Sequence, residues 1–142
     1  MVAKKINKIL APLDGSTNSL RGLQNAIMFA KQFDAEITGL YVVNIPAAAA
    51  IRISPETRKK EIRYAESIID EATKIATRHG VAFKPKIETG DPGDKIVRTA
   101  NTGHFDLVVI GSRGRGAAKE IFLGSTSNHV LHKTNVPVVV VK

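Results

Sequence analysis

The chain has 142 residues, 43% of them hydrophobic, with no cysteine and a formal net charge of +8 at pH 7. That length supports one domain spanning residues 1–142 with a core of its own. The missing cysteine excludes a disulfide framework, a thiolate nucleophile and a thiolate-held metal, while the charge points to an anionic partner.

The opening Met1 to Lys8 and the apolar run after it, broken at Asp14, fit neither a signal peptide nor a membrane span. The expectation is a cytoplasmic protein without a membrane partner. Ile6 to Leu13 reads as a strand, and Pro12-Leu13-Asp14-Gly15-Ser16 as the turn that leads into a helix capped by Ser16 or Thr17. Leu20, Leu23, Ala26, Ile27 and Ala30 recur at helical spacing and predict one buried face. Glu36 to Val43 is a second strand. Ser54-Pro55-Glu56 then supplies an N-cap, an N1 proline and an early acid for a long helix whose stripe is Ile62, Ala65, Ile69, Ala72 and Ala76. His79-Gly80 marks its end.

Val81 to Thr89 alternates as a strand does, and Pro85 within it predicts an edge position. Asp91-Pro92 opens a short helix. Leu107 to Ile110 is an apolar run of the kind buried on both faces of a parallel sheet. Ser125 to about Lys133 forms a last helix and Val138 to Val141 a last strand. Strands alternating with helices predict an α/β fold, a doubly wound five-stranded parallel sheet with helices on both faces. Ligands bind such sheets at the carboxyl ends of the strands, where the strand order reverses.

Two loops carry suitable chemistry there: Pro12 to Ser16, and Gly111-Ser112-Arg113-Gly114-Arg115-Gly116, which is followed by Gly124-Ser125-Thr126. Glycines after a buried strand and a Gly-Ser-Thr step at a helix start let backbone N–H groups converge on an anion. The frame is not a Walker loop, because Ala117-Ala118 stand where the lysine and hydroxyl belong. It is not the dinucleotide fingerprint either, since Lys119 occupies a glycine position and the loop follows the fourth strand.

The spacing Gly111, two residues, Gly114, nine residues, Gly124-Ser125 resembles the G-x2-G-x9-G-[S/T] loop of the ATP-binding branch of the universal stress protein family. The similarity extends to Pro12-Leu13-Asp14-Gly15-Ser16, Tyr41-Val42-Val43, Gly90-Asp91-Pro92 and Pro137 to Val141. The resemblance implies a Rossmann-like, adenine nucleotide alpha hydrolase-like sheet of order 3-2-1-4-5, and a stress-response sensor or regulator that binds ATP or AMP. It implies that Asp14 accepts from ribose hydroxyls and that Pro12 and Val42 bound the adenine. Gly111, Gly114, Gly124, Ser125 and Thr126 would hold the phosphates, with Ser112 and Arg113 in the same loop. Mg²⁺ or Mn²⁺ would be carried by the phosphates, with no metal site made by protein ligands.

Neither loop has a Walker lysine, an obvious general base or a histidine–carboxylate pair, so the residues support binding over turnover; the resemblance implies at most slow ATP hydrolysis. Taken alone, Asp14 before Gly-Ser is also a common turn or helix cap. His104, His129 and His132 match no metal spacing and read as surface or capping residues, and His79 as a helix-end cation. The rival class is a basic nucleic-acid or anionic-surface binding module. Sparse aromatics and scattered basic clusters count against it. A flavodoxin-like or electron-transfer-flavoprotein-like domain shares the parallel sheet. In the 3-2-1-4-5 order the last strand lies at an edge, so a homodimer through Val138 to Val141 is expected.

Overall fold

Three helix starts carry a side chain that closes them. Ser16, Ser54 and Asp91 each accept the N–H three residues on, from Ser19, Thr57 and Asp94. The computed structural model describes residues 5–113 and 123–142. Its elements run β1 (Lys8–Leu13), α1 (Thr17–Phe33), β2 (Glu36–Asn44), α2 (Pro55–Arg78), β3 (Phe83–Gly90), α3 (Pro92–Thr102), β4 (Leu107–Gly111), α4 (Ser125–Lys133) and β5 (Val138–Val141).

The strands form a parallel sheet in the order β3-β2-β1-β4-β5, as the resemblance implies. Chain direction across the sheet reverses between β3 and β4, and with crossovers of one hand that reversal moves the helices to the opposite face. Accordingly α1 and α2 cover one side, where Leu23, Ala26, Ile27, Ala65, Ile69 and Ala72 pack on Ile9, Ile37 and Val109. On the other side, Ile96 and Ala100 of α3 and Val130 of α4 pack on Leu10, Leu40 and Val108. β1, β2 and β4 are therefore buried from both faces.

β3 begins at Phe83, two residues later than its sequence pattern suggests. The end of α2 takes the intervening backbone: Gly80 at φ 72° donates to Thr77, and Val81 donates to Ala76 at 3.0 Å. This helix-closing turn consumes the Val81 N–H that a strand would need. Pro85 does lie on an edge strand. Leu20 is the exception in the α1 stripe, 38% exposed beside a cleft of about 210 Å³ between α1 and α2. Among the described residues no helix is long and apolar enough to cross a membrane.

Candidate functional site

β1 and β4 are neighbours, paired Ile9 to Leu107 and Leu10 to Val108, so the loops that leave their carboxyl ends share one crevice. On the β1 side the chain turns at Asp14-Gly15-Ser16. The half-buried Asp14 accepts the Ser16 N–H on Oδ1 at 2.8 Å, and Gly15 sits at φ 86°. A side chain at Gly15 would be strained and would also run into the Tyr64 hydroxyl of α2, whose ring meets Tyr41 edge-on at 6.2 Å.

Ser16 caps α1 by accepting the Ser19 N–H at 3.1 Å, and Ser19 Oγ donates back to the Ser16 carbonyl at 3.0 Å. The same Ser19 oxygen accepts the Asp14 N–H at 3.3 Å. These bonds hold the Asp14 turn in place and give the first turn of α1 a side-chain cap.

On the β4 side Ser112 is a junction, 3% exposed. Its N–H donates to Val141 at 2.7 Å, and its carbonyl accepts Gly124 N–H at 2.7 Å and Ser127 Oγ at 2.6 Å. Its hydroxyl donates to Oδ1 of Asn18 at 3.1 Å, and the Arg113 N–H donates to the same oxygen at 3.1 Å. Gly111 is needed here for packing. A Cβ on it would stand 2.6 Å from the Asn18 carbonyl oxygen, and one on Gly22 would stand 3.2 Å from the Gly111 nitrogen, so α1 lies directly on the backbone of β4.

α4 begins differently from the other helices. Gly124 is its N-cap at φ −70°, ψ 165°, and no side chain among the described residues caps it. The Gly124 N–H goes to Ser112, but the N–H groups of Ser125, Thr126 and Ser127 have no acceptor within the helix. They carry the positive end of the helix dipole, next to the end of β4.

The universal stress protein family model matches residues 5–142. The chain belongs to this family. Universal stress protein MJ0531 of Methanocaldococcus jannaschii is 34% identical over 141 residues, covering 95% of this chain and 81% of the relative. The solved structure of MJ0577 superposes with a TM-score of 0.87 at 30% identity, covering 98% of this chain and 97% of that one. A universal stress family protein of Arabidopsis thaliana, solved with AMP bound, shares the fold at a TM-score of 0.72 and 21% identity, covering 96% and 91%. Others of this fold have been solved with cAMP and with dAMP.

In this universal stress protein, Pro12 and Val42 are buried near the carboxyl ends of adjacent strands, and Val42 packs on the face covered by α3 and α4. Pro12 pairs with Leu40 and Leu13 with Tyr41, so one step further brings Asp14 level with Val42. The register therefore places Asp14 beside Val42, with Pro12 one layer deeper, and the Ser112 junction places Gly111, Ser112 and Arg113 beside Gly124, at the start of the helix that carries Ser125 and Thr126. Gly114 lies outside the described residues.

Three residues that shape this edge escape a reading by motif. Ser127 could have been found from its place three residues after the Gly124 cap. Gly22 and Asn18 have no local signal, because their partners lie on β4. His129, read as a surface or capping residue, reaches Asp94 Oδ1 at 3.0 Å and ties α4 to the start of α3.

Proposed function

We propose that this universal stress protein binds an adenine nucleotide, ATP or AMP, across the carboxyl ends of β1 and β4. It would act as a nucleotide-dependent sensor or regulator of the stress response, working as one domain in the cytoplasm. The observation that carries this reading is the start of α4. A helix first turn without a side-chain cap among the described residues opens at the strand-order switch point, after the strand that neighbours the one leading into Asp14. Uncapped N–H groups and the positive end of a helix favour phosphate there.

The donor set fits the ligand. Ser125 and Thr126 add hydroxyls beside those N–H groups, and Arg113 adds a cation suited to phosphate. Asp14 already accepts from Ser16, yet a carboxylate has two oxygens and takes further donors, such as ribose hydroxyls. Pro12 and Val42 line the apolar side on which adenine would rest. Gly111 and Ser112 set the floor, and Gly114 keeps the role its motif implies.

The sequence has Ala117-Ala118 in place of a lysine bridging the phosphates, so the site holds nucleotide more than it cleaves it, and Mg²⁺ or Mn²⁺ arrives on the phosphates. Titration calorimetry of the purified protein tests this with adenosine, AMP, cAMP and ATP. We expect Kd values below about 100 μM for the phosphorylated ligands and ATP turnover slower than about one per second. Binding of none of them, or faster turnover, overturns the reading.

The proposal includes a homodimer through β5. Its four valines are all half-buried at a sheet edge, with no proline or charge among them. Val139→Glu is expected to halve the mass measured by sedimentation, and an unchanged mass rejects this interface.

A further inference from the structure

Asn18 stands in the first turn of α1 at 9% exposure, where an amide needs bonded polar atoms to be tolerated. Its Oδ1 accepts both the Ser112 hydroxyl and the Arg113 N–H, each at 3.1 Å. The two donors lie 94 and 95 positions further along the chain, where β4 leaves the sheet for the glycine-rich loop. On its other side Asn18 sits between Ser16 and Ser19, whose bonds fix the Asp14 turn. One side-chain oxygen thus connects the turn that carries Asp14 to the residues from which the phosphate loop departs.

We propose that Asn18 is a positioning residue for the nucleotide site. It holds the β1 half, with Asp14, and the β4 half, with Ser112 and Arg113, at a fixed separation, so that one ligand spans both. The inference rests on the nucleotide-binding reading above. The other anchors of this junction come from β5 and α4, through Val141, Gly124 and Ser127. Asn18 bonds both Ser112 and Arg113 from the helix that follows the Asp14 turn. Without its oxygen, the Ser112 hydroxyl can rotate to another acceptor, whereas the Arg113 N–H is fixed to the backbone and reaches an acceptor only if the chain moves. That movement changes the phosphate end of the site and leaves the adenosine end in place.

The test combines amide hydrogen exchange at Arg113 with titration of adenosine and ATP into wild type, Asn18→Ala and Asn18→Asp. Asparagine to aspartate keeps an acceptor of the same shape. Exchange at Arg113 is expected to speed up about tenfold or more in the alanine variant and to stay near wild type in the aspartate variant. ATP affinity is expected to fall about tenfold in Asn18→Ala while adenosine affinity stays within about twofold. Asn18→Ser, too short to reach both donors, is expected to give the same split if the alanine variant is too unstable to titrate.

Unchanged exchange at Arg113, or equal losses for adenosine and ATP, overturns the positioning role while leaving nucleotide binding standing. A wild-type protein that binds neither ligand overturns the nucleotide reading, and the positioning role with it.

Discussion

Helices α1 and α4 follow neighbouring strands and begin at the same edge of the sheet, yet one start is closed and the other open. Ser16 caps α1, Ser19 ties the cap back to Asp14, and the Asn18 side chain is spent on β4. α4 starts at a glycine with no side-chain cap among the described residues, next to the end of β4. A side-chain cap satisfies one of the first-turn donors, whereas an uncapped start at a switch point leaves all of them to water or to an anionic ligand. The comparison assigns the two starts different work. Under the proposed function, α1 builds and braces the site and α4 would receive the phosphates.

Giving α4 the cap it lacks is the strongest way to break that contrast. Gly124 has an N-cap conformation that any residue can adopt, and Gly124→Asp would cap the helix while placing a carboxylate at the proposed phosphate position. AMP and ATP affinity is expected to fall about 100-fold or more by calorimetry, with adenosine little affected, because a like charge at contact distance costs several kcal/mol. Retained ATP affinity would remove the distinction between the two starts.

The next test concerns how α1 braces β4. Gly111→Ala would put a Cβ 2.6 Å from the Asn18 carbonyl oxygen, and the resulting overpacking is expected to cost about 1–3 kcal/mol in urea unfolding. A neutral result would mean that α1 does not lie where it is described.

Asp14→Asn keeps an acceptor for the Ser16 N–H but removes the charge. It is expected to weaken adenosine, AMP and ATP alike by about tenfold, the difference between a charged and a neutral hydrogen bond. A loss confined to the phosphorylated ligands would separate Asp14 from the ribose.

Removing the cap of α1 has the smallest expected effect. Ser16→Ala should lower stability by about 1 kcal/mol and leave the affinity gained from each added phosphate unchanged, measured by unfolding and titration together. If that gain is lost, α1 rather than α4 receives the phosphates.

Much of this architecture was legible in the sequence, because it is written in local pattern. Ser16, Ser54-Pro55 and Asp91-Pro92 mark helix starts, the run Leu107 to Ile110 marks a strand covered on both faces, and Pro85 marks an edge. The strand order came from the resemblance rather than from any periodicity. What the chain alone could not supply are contacts between distant elements. Gly111 read as a phosphate glycine, but its missing Cβ makes room for the backbone of α1, a demand created only when the helix packs on β4. Asn18 is one of several polar residues in a helix start until Ser112 is brought against it. The exposure of Leu20, within an otherwise buried stripe, follows from the cleft left between α1 and α2.

The most direct test is to follow the backbone amides by NMR during titration with AMP and with adenosine. Amide signals of Ser125, Thr126 and Ser127 are expected to shift with AMP and to stay nearly still with adenosine, while those of Thr17, Asn18 and Ser19 respond far less to the added phosphate. Phosphate-dependent shifts centred on Thr17 to Ser19, or none at Ser125 to Ser127, would contradict the assignment of the phosphates to α4.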